Sequence, residues 1–145
     1  MIDSFKGDYR WLSNFEMCDV WYEGDCYPSS EHAFQAAKTL VKDERRSIQF
    51  ADTPGKAKKL GQEVTLQKDW TPEKRIRIMR TILRNKFIYN DHLKQKLLDT
   101  GNEELVEGNT WGDTFWGVCN GIGENNLGKL LMEIRDDIKK GKVCA

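Results

Sequence analysis

The chain has 145 residues, a length that suits one domain with a core large enough to need no metal or disulfide staples. Its 23 Lys and Arg balance 23 Asp and Glu, which argues against a nonspecific nucleic-acid binder held by overall positive charge. No apolar run approaches the ~18 residues of a membrane span and no cationic-then-apolar leader opens the chain, so a cytoplasmic protein with no membrane association is expected.

Cys18, Cys26, Cys119 and Cys144 show no CxxC spacing, and only His32 and His92 could join them. Free thiols are therefore expected, with no zinc site. The charge is uneven along the chain. Between Lys56 and Phe87, basic residues outnumber acidic ones, a pattern that fits a phosphate contact or a solvated helix face.

Met17 to Tyr22 and Cys26-Tyr27 flank Glu23-Gly24-Asp25, which reads as a hairpin with glycine supplying the positive φ of the turn. Pro28 should end the second strand, and Ser29 or Ser30 can cap a helix running to about Leu40. On that helix Glu31, Gln35 and Lys38 stand at i, i+4 and i+7, one face, beside the small Ala33, Ala36 and Ala37. The same spacing would also suit an exposed polar face. A short helix follows over Glu44–Phe50. Thr53-Pro54 and Thr71-Pro72 each place an N-cap before a proline at the first helical position. The first helix should end at Gly61, and the second carries an apolar stripe of Ile76, Met79, Leu83 and Phe87. Asn90 can cap a helix with Leu93, Leu97 and Leu98 inward and Gly101 just past its end. Glu103 to Glu107 reads as a short strand.

The most distinctive stretch runs from Leu105 to Arg135. Gly108, Gly112, Gly117, Gly121 and Gly123 permit sharp turns and close backbone approach, while Trp111 and Trp116 offer flat faces that could stack on a base. Glu107 and Asp113 stand among them. A loop longer than about 12 residues without regular structure is usually functional or disordered, and one this aromatic is not expected to be disordered. The final helix begins at Asn125 or Asn126, with Leu127, Leu130, Leu131, Ile134 and Ile138 on one stripe and Lys139, Lys140 and Gly141 as its stop. Its N-terminus would turn free N–H groups towards the glycine loop as a seat for phosphate. GIGENNLG is not a dinucleotide fingerprint, because no clear βα unit precedes it.

Carboxylates between aromatic walls suit cleavage at a sugar carbon, where the transition state resembles an oxocarbenium ion and a water must be activated. Glu31 and Asp113 form the candidate pair. The leaving base needs a proton or a hydrogen-bond donor, and Lys38 could provide it; a desolvated lysine could equally attack the anomeric carbon and form an imine. The sequence leaves these roles open. No Ser-His-Asp order is convincing, since Ser29 and Ser30 read as caps and His32 points away from the face of Glu31.

WLSNF (Trp11 to Phe15), YPSSEHAFQAAK (Tyr27 to Lys38), TPGKAKKLG (Thr53 to Gly61), LVEGN, DTFWG (Asp113 to Gly117) and NLGKLLMEIR (Asn126 to Arg135) together resemble the NADAR, or YbiA-like, family, in that family's order and over nearly the whole chain. The resemblance implies a mainly helical α+β fold, with residues 1–145 forming a single domain that has a small β element. It implies hydrolysis of N-glycosidic bonds without a cofactor. The substrate would be a small ribosylated base, such as a riboflavin-pathway ribosylaminopyrimidine phosphate, or ADP-ribosylated guanine; nucleic acid would enter only as an ADP-ribosylated substrate.

Carried over by motif, Glu31, Lys38 and Asp113 would be catalytic. Asn14, Phe15, Gln35, Lys58, Lys59, Trp111, Trp116, Gly117, Asn125, Asn126 and Gly128 would contact substrate. Which WG and which asparagine face the site stays open, and Glu107 is as well suited to bracing the loop. A non-catalytic module that binds ADP-ribose or NAD is the alternative reading. A scaffold presenting its aromatic surface to another protein is a third.

Overall fold

Ser29, Thr53 and Thr71 each turn a side-chain oxygen onto a backbone N–H three residues ahead, and these caps set where three of the helices begin. The structure, a computed structural model, describes residues 1–142; Cys144 lies outside the described residues. The fold is α+β and mainly helical. Its backbone groups into two units, Asn14–Asn90 and the combination of Met1–Ser13 with Asp91–Ala145.

The Asn14–Asn90 unit opens with β1 (Met17–Tyr22) paired antiparallel to β2 (Asp25–Ser29). Tyr22 faces Asp25, so the connection is two residues long, and both Glu23 (φ 47°) and Gly24 (φ 88°) take positive φ. That is the geometry a tight hairpin needs; glycine alone does not supply it, because Glu23 shares the left-handed region. Contrary to expectation, β2 continues past Pro28 to Ser29. Pro28 falls within the irregular register between Val20 and Met17, where its missing N–H costs no ladder bond.

Next come α1 (Ser30–Ala37), α2 (Lys42–Gln49), α3 (Pro54–Gly61) and α4 (Pro72–Ile88). α1 is buried along its whole length and stops earlier than the expected Leu40. Its last carbonyls find other partners: Gln67 N–H donates to Lys38 O at 2.7 Å and Gln67 Nε2 to Ala37 O at 2.5 Å. Thr39, fully buried, donates to Glu44 and accepts from Val41 N–H, which turns the chain into α2. On α4 the buried face is Ile78, Met79, Ile82, Leu83, Lys86 and Phe87, broader than the expected stripe, and Ile76 is only half-buried. Asn90 Nδ2 donates to Lys86 O and Asp19 O, tying the end of α4 to β1.

The other unit contains a 3-10 helix over Gly7–Leu12, which the sequence did not foretell, then α5 (Asp91–Asp99) and α6 (Asn126–Lys139). Ile2, Phe5, Trp11, Leu12, Leu93, Leu97, Leu105, Leu127, Leu130, Leu131 and Ile134 are buried here. The strand expected over Glu103–Glu107 reduces to a single parallel bridge between Ile2 and Leu105, made by Ile2 N–H to Glu104 O and Val106 N–H to Ile2 O. The regular pairing lies just beyond it, where β3 (Gly108–Asn109) runs parallel to β4 (Val118–Cys119).

Candidate active site

The residues singled out by the sequence fall into two groups, one in each unit. In the Asn14–Asn90 unit the group grows from α1. Glu31 is only 9% exposed although it is a carboxylate, and burial of such a group requires partners. Its backbone N–H donates to Asn14 O at 3.0 Å, and its Oε2 accepts from Gln35 Nε2 at 2.5 Å, one helical turn on. The i, i+4 spacing read from the sequence is thus a direct contact. Asn14 is itself buried, with Nδ2 on the Met79 sulfur at 3.7 Å and Oδ1 lacking a hydrogen-bond partner. Phe15 is half-buried beside it in sequence.

Lys38 is the C-cap of α1 and half-buried. Burial depresses its ammonium below the ordinary lysine range; the Glu31 carboxylate pulls the other way, and the positive charges of Arg75 and Lys58 add to the depression. Glu31, Gln35, Lys38 and Lys58 therefore belong to one neighbourhood. Lys59 is exposed like Lys58. Arg75, on α4, joins this neighbourhood without having been singled out by sequence. The available signal was the basic run after Thr71-Pro72, but nothing in the spacing told which of its members acts on Lys38.

His32 has a structural task. Its Nδ1 lies 2.6 Å from Ser29 Oγ and its Nε2 lies 2.9 Å from Ala51 O. The carbonyl can only accept, so Nε2 carries the proton and Nδ1 receives the Ser29 hydroxyl. Burial holds the ring below the usual histidine range, favouring this neutral form.

The second cluster is the glycine and tryptophan loop. Asn109, which the sequence reading passed over, is its hub: Nδ2 donates to Glu107 Oε2 (3.0 Å) and Asp113 O (2.9 Å), while Oδ1 accepts from Asp113 N–H (3.1 Å). Asp113 Oδ1 in turn accepts from the backbone N–H groups of Phe115 (3.1 Å) and Trp116 (2.9 Å). A side chain at Gly117 would run into Glu107 and Asn109, so this glycine is required by space. Trp116 is half-buried and meets Phe115 edge-on at 4.8 Å, whereas Trp111 is 58% exposed with the Lys6 ammonium 5.8 Å from its ring centre.

Asn125, in the left-handed conformation at φ 55°, precedes α6 and spends its side chain on backbone: Oδ1 accepts from Glu107 N–H and Nδ2 donates to Leu105 O, both at 2.9 Å. Gly128 leaves room for Leu105 O and the Asn125 amide. Asn126 is buried, and its Nδ2 has no hydrogen-bond partner.

The phosphate seat expected at the start of α6 is partly filled by the chain itself. Asn125, Asn126 and Leu127 direct their N–H groups to Gly117 O, Phe115 O and Trp116 O. The loop's own carbonyls thus occupy three of the donors that would have faced an anion. Among the described residues no group of three or more His, Cys, Asp or Glu is placed to hold a metal ion, and no helix is long and apolar enough to cross a membrane.

Comparison with known proteins agrees with the motif pattern. A profile described as the NADAR domain matches residues 3–139. N-glycosidase YbiA of Escherichia coli (strain K12) is 38% identical over 138 residues, covering 93% of this chain and 85% of that protein. N-glycosidase Npun_R5314 of Nostoc punctiforme is 36% identical over 137 residues, covering 90% and 86%. Riboflavin biosynthesis protein VVA0006 of Vibrio vulnificus is 35% identical over 136 residues, or 92% of this chain, but the chain spans only 36% of its length. The NMR structure of the E. coli protein YbiA superposes with a TM-score of 0.84 at 34% identity, covering 98% of this chain and 89% of that one.

Proposed function

Because the chain belongs to the NADAR domain family, we propose that it is an N-glycosidase, a hydrolase that releases a base from ribose phosphate or ADP-ribose. The observation that carries this reading is a buried carboxylate and a partly desolvated amine on one helix, Glu31 held by Gln35 and Lys38 depressed by burial, with Lys58 and Arg75 adding positive charge. Lys38 protonates the departing base as the bond from the anomeric carbon to nitrogen breaks. Glu31 stabilises the oxocarbenium-like carbon and takes a proton from the water that adds to it. A depressed ammonium gives up its proton more readily, which suits the acid role. Lys58 and Arg75 would receive the phosphate, in place of the α6 N-terminus.

Asp113, Trp111, Trp116, Gly117, Asn126 and, less directly, Asn125 and Gly128 enter this proposal through the family pattern, as do Asn14, Phe15 and Lys59. Asn126 retains a free amide for a ligand; Asn125 and Gly128 shape the loop. The proposal takes residues 1–145 as one cytoplasmic domain. A small ribosylated substrate is favoured, because relatives carry the names N-glycosidase and riboflavin biosynthesis protein. ADP-ribosylated guanine is the second substrate class. The non-catalytic ADP-ribose module is not favoured, since it relied on helix N–H groups of which the loop already uses three.

The test is incubation of the purified protein, beside its Glu31→Gln variant, with a ribosylaminopyrimidine phosphate and with ADP-ribosylated guanosine. Sugar release from at least one by the unaltered protein alone supports the proposal. Binding without release over hours would move the assignment to the binding module.

A further inference from the structure

We propose that Gln35 and Gly61 act together as positioning residues for the Glu31 carboxylate; this rests on the N-glycosidase reading for its catalytic meaning. Gln35 is 5% exposed and its Nε2 donates to Glu31 Oε2 at 2.5 Å. The other end of the amide, Oε1, is buried without a hydrogen-bond partner. It lies against Gly61, the last residue of α3, where a built Cβ would overlap Oε1, come within 2.7 Å of Cδ and reach 3.0 Å from Cβ of Gln35.

Three features make this more than close packing. The first is helix propensity. Gly61 is helical and has no positive φ, so alanine would stabilise the helix there; the missing side chain answers a need for space. The second is the direction of the amide. With an ionised carboxylate on one side, Gln35 must present Nε2 as donor, and turning the amide over would set oxygen against oxygen. Its Oε1 is thereby turned against Gly61, where it is buried without a hydrogen-bond partner. The third is the choice of oxygen. Gln35 engages Oε2, fixing the carboxylate plane and favouring its charged form. A side chain at position 61 would push the amide off this position, and Glu31 would lose this donor and the orientation it imposes.

The test is a double-variant cycle in the full chain with Gln35→Ala, Gly61→Ala and the pair, alongside Gln35→Met, which keeps length but removes the donor. Turnover and the pH at which Glu31 titrates, followed by carbon NMR on isotope-labelled glutamate, are both read. Gly61→Ala and Gln35→Met should each lower kcat roughly 10- to 100-fold with little change in KM. Each should raise the Glu31 titration, because a donor to the charged carboxylate is lost. The pair should match Gln35→Ala alone, because Gly61 acts only through Gln35. Independent, additive losses, or a Glu31 titration unmoved by Gly61→Ala, would overturn the proposal. If the unaltered protein releases no sugar, the N-glycosidase reading fails by itself, while the NMR titration still decides whether Gln35 and Gly61 govern Glu31.

Discussion

Lys38 and Glu31 are electrostatically linked along α1: burial depresses the Lys38 ammonium, and the Glu31 carboxylate acts against that depression. As a general acid, Lys38 works only while protonated. The high-pH limb of kcat should therefore fall below the ordinary lysine value of 10.5. Lys38→Met should abolish this limb and lower turnover by ~10²-fold or more. Rate measurements across pH check this, and borohydride is the cross-check. A trapped sugar adduct on Lys38, or a rate that rises through the same limb, would replace the acid role with imine formation.

Glu31→Gln preserves volume and removes charge. Turnover should fall ~10²- to 10⁴-fold with thermal unfolding close to that of the unaltered chain. Removal of the carboxylate also takes away the one effect raising the Lys38 proton affinity among those named above, so the ammonium of this variant should titrate lower still. A variant that unfolds early yet keeps its specific activity would make Glu31 a structural residue.

Asp113 organises the loop through Oδ1, which accepts two backbone N–H groups. Asp113→Ala should cost about 1–2 kcal/mol of stability, because two partly buried backbone donors lose their acceptor. Asp113→Asn can keep an oxygen in place and should retain most of that stability while lowering turnover. Equal turnover in Asp113→Asn and the unaltered chain would leave Asp113 with its loop role alone. Urea unfolding and kcat on the two variants decide.

The two tryptophans differ in setting, Trp116 half-buried against Phe115 and Trp111 58% exposed. Stacking on a base is worth roughly 1–3 kcal/mol. Trp116→Ala should accordingly weaken a base-containing ligand about 10-fold or more while leaving ribose 5-phosphate nearly unaffected. Trp111→Ala is the comparison. Calorimetry that finds the larger, base-selective loss in Trp111→Ala would exchange their assignments.

Lys86 is fully buried, and burial lowers its ammonium to about 8, opposed by the neighbouring Cys18 and Glu16. Between that value and 10.5 the unfolded chain binds the proton that the folded chain has released, so this group's contribution to stability rises with pH in that window and is unfavourable below it. Cys18, Cys26, Tyr22 and Tyr27, all held protonated by burial, work in the opposite sense once their unfolded forms begin to ionise. The difference between the unaltered chain and Lys86→Met isolates the lysine. Lys86→Met should gain stability relative to the unaltered chain at pH 7, by up to ~3 kcal/mol, and lose that advantage towards pH 10. Denaturant unfolding at several pH values checks the slope, and a pH-independent difference would exclude a titrating Lys86.

The sequence alone determined features that depend on neighbours along the chain. The caps at Ser29, Thr53 and Thr71 and the stop at Gly101 follow from local backbone chemistry. So does the Glu31–Gln35 contact, since four residues bring two side chains together on any helix. The motif order likewise carried the family. Only tertiary structure decided which polar groups were still available for function. The first N–H groups of α6 were legible as donors, but whether they met solvent or the carbonyls of Gly117, Phe115 and Trp116 depended on how a loop folded back on them. Arg75 among its basic neighbours, Asn109 as the loop hub, Lys86 in the core and Gly61 beneath Gln35 are of the same kind. Hydrogen-bond capacity belongs to a residue and can be read from its type, whereas the partner that uses it is chosen by contacts between segments distant in sequence.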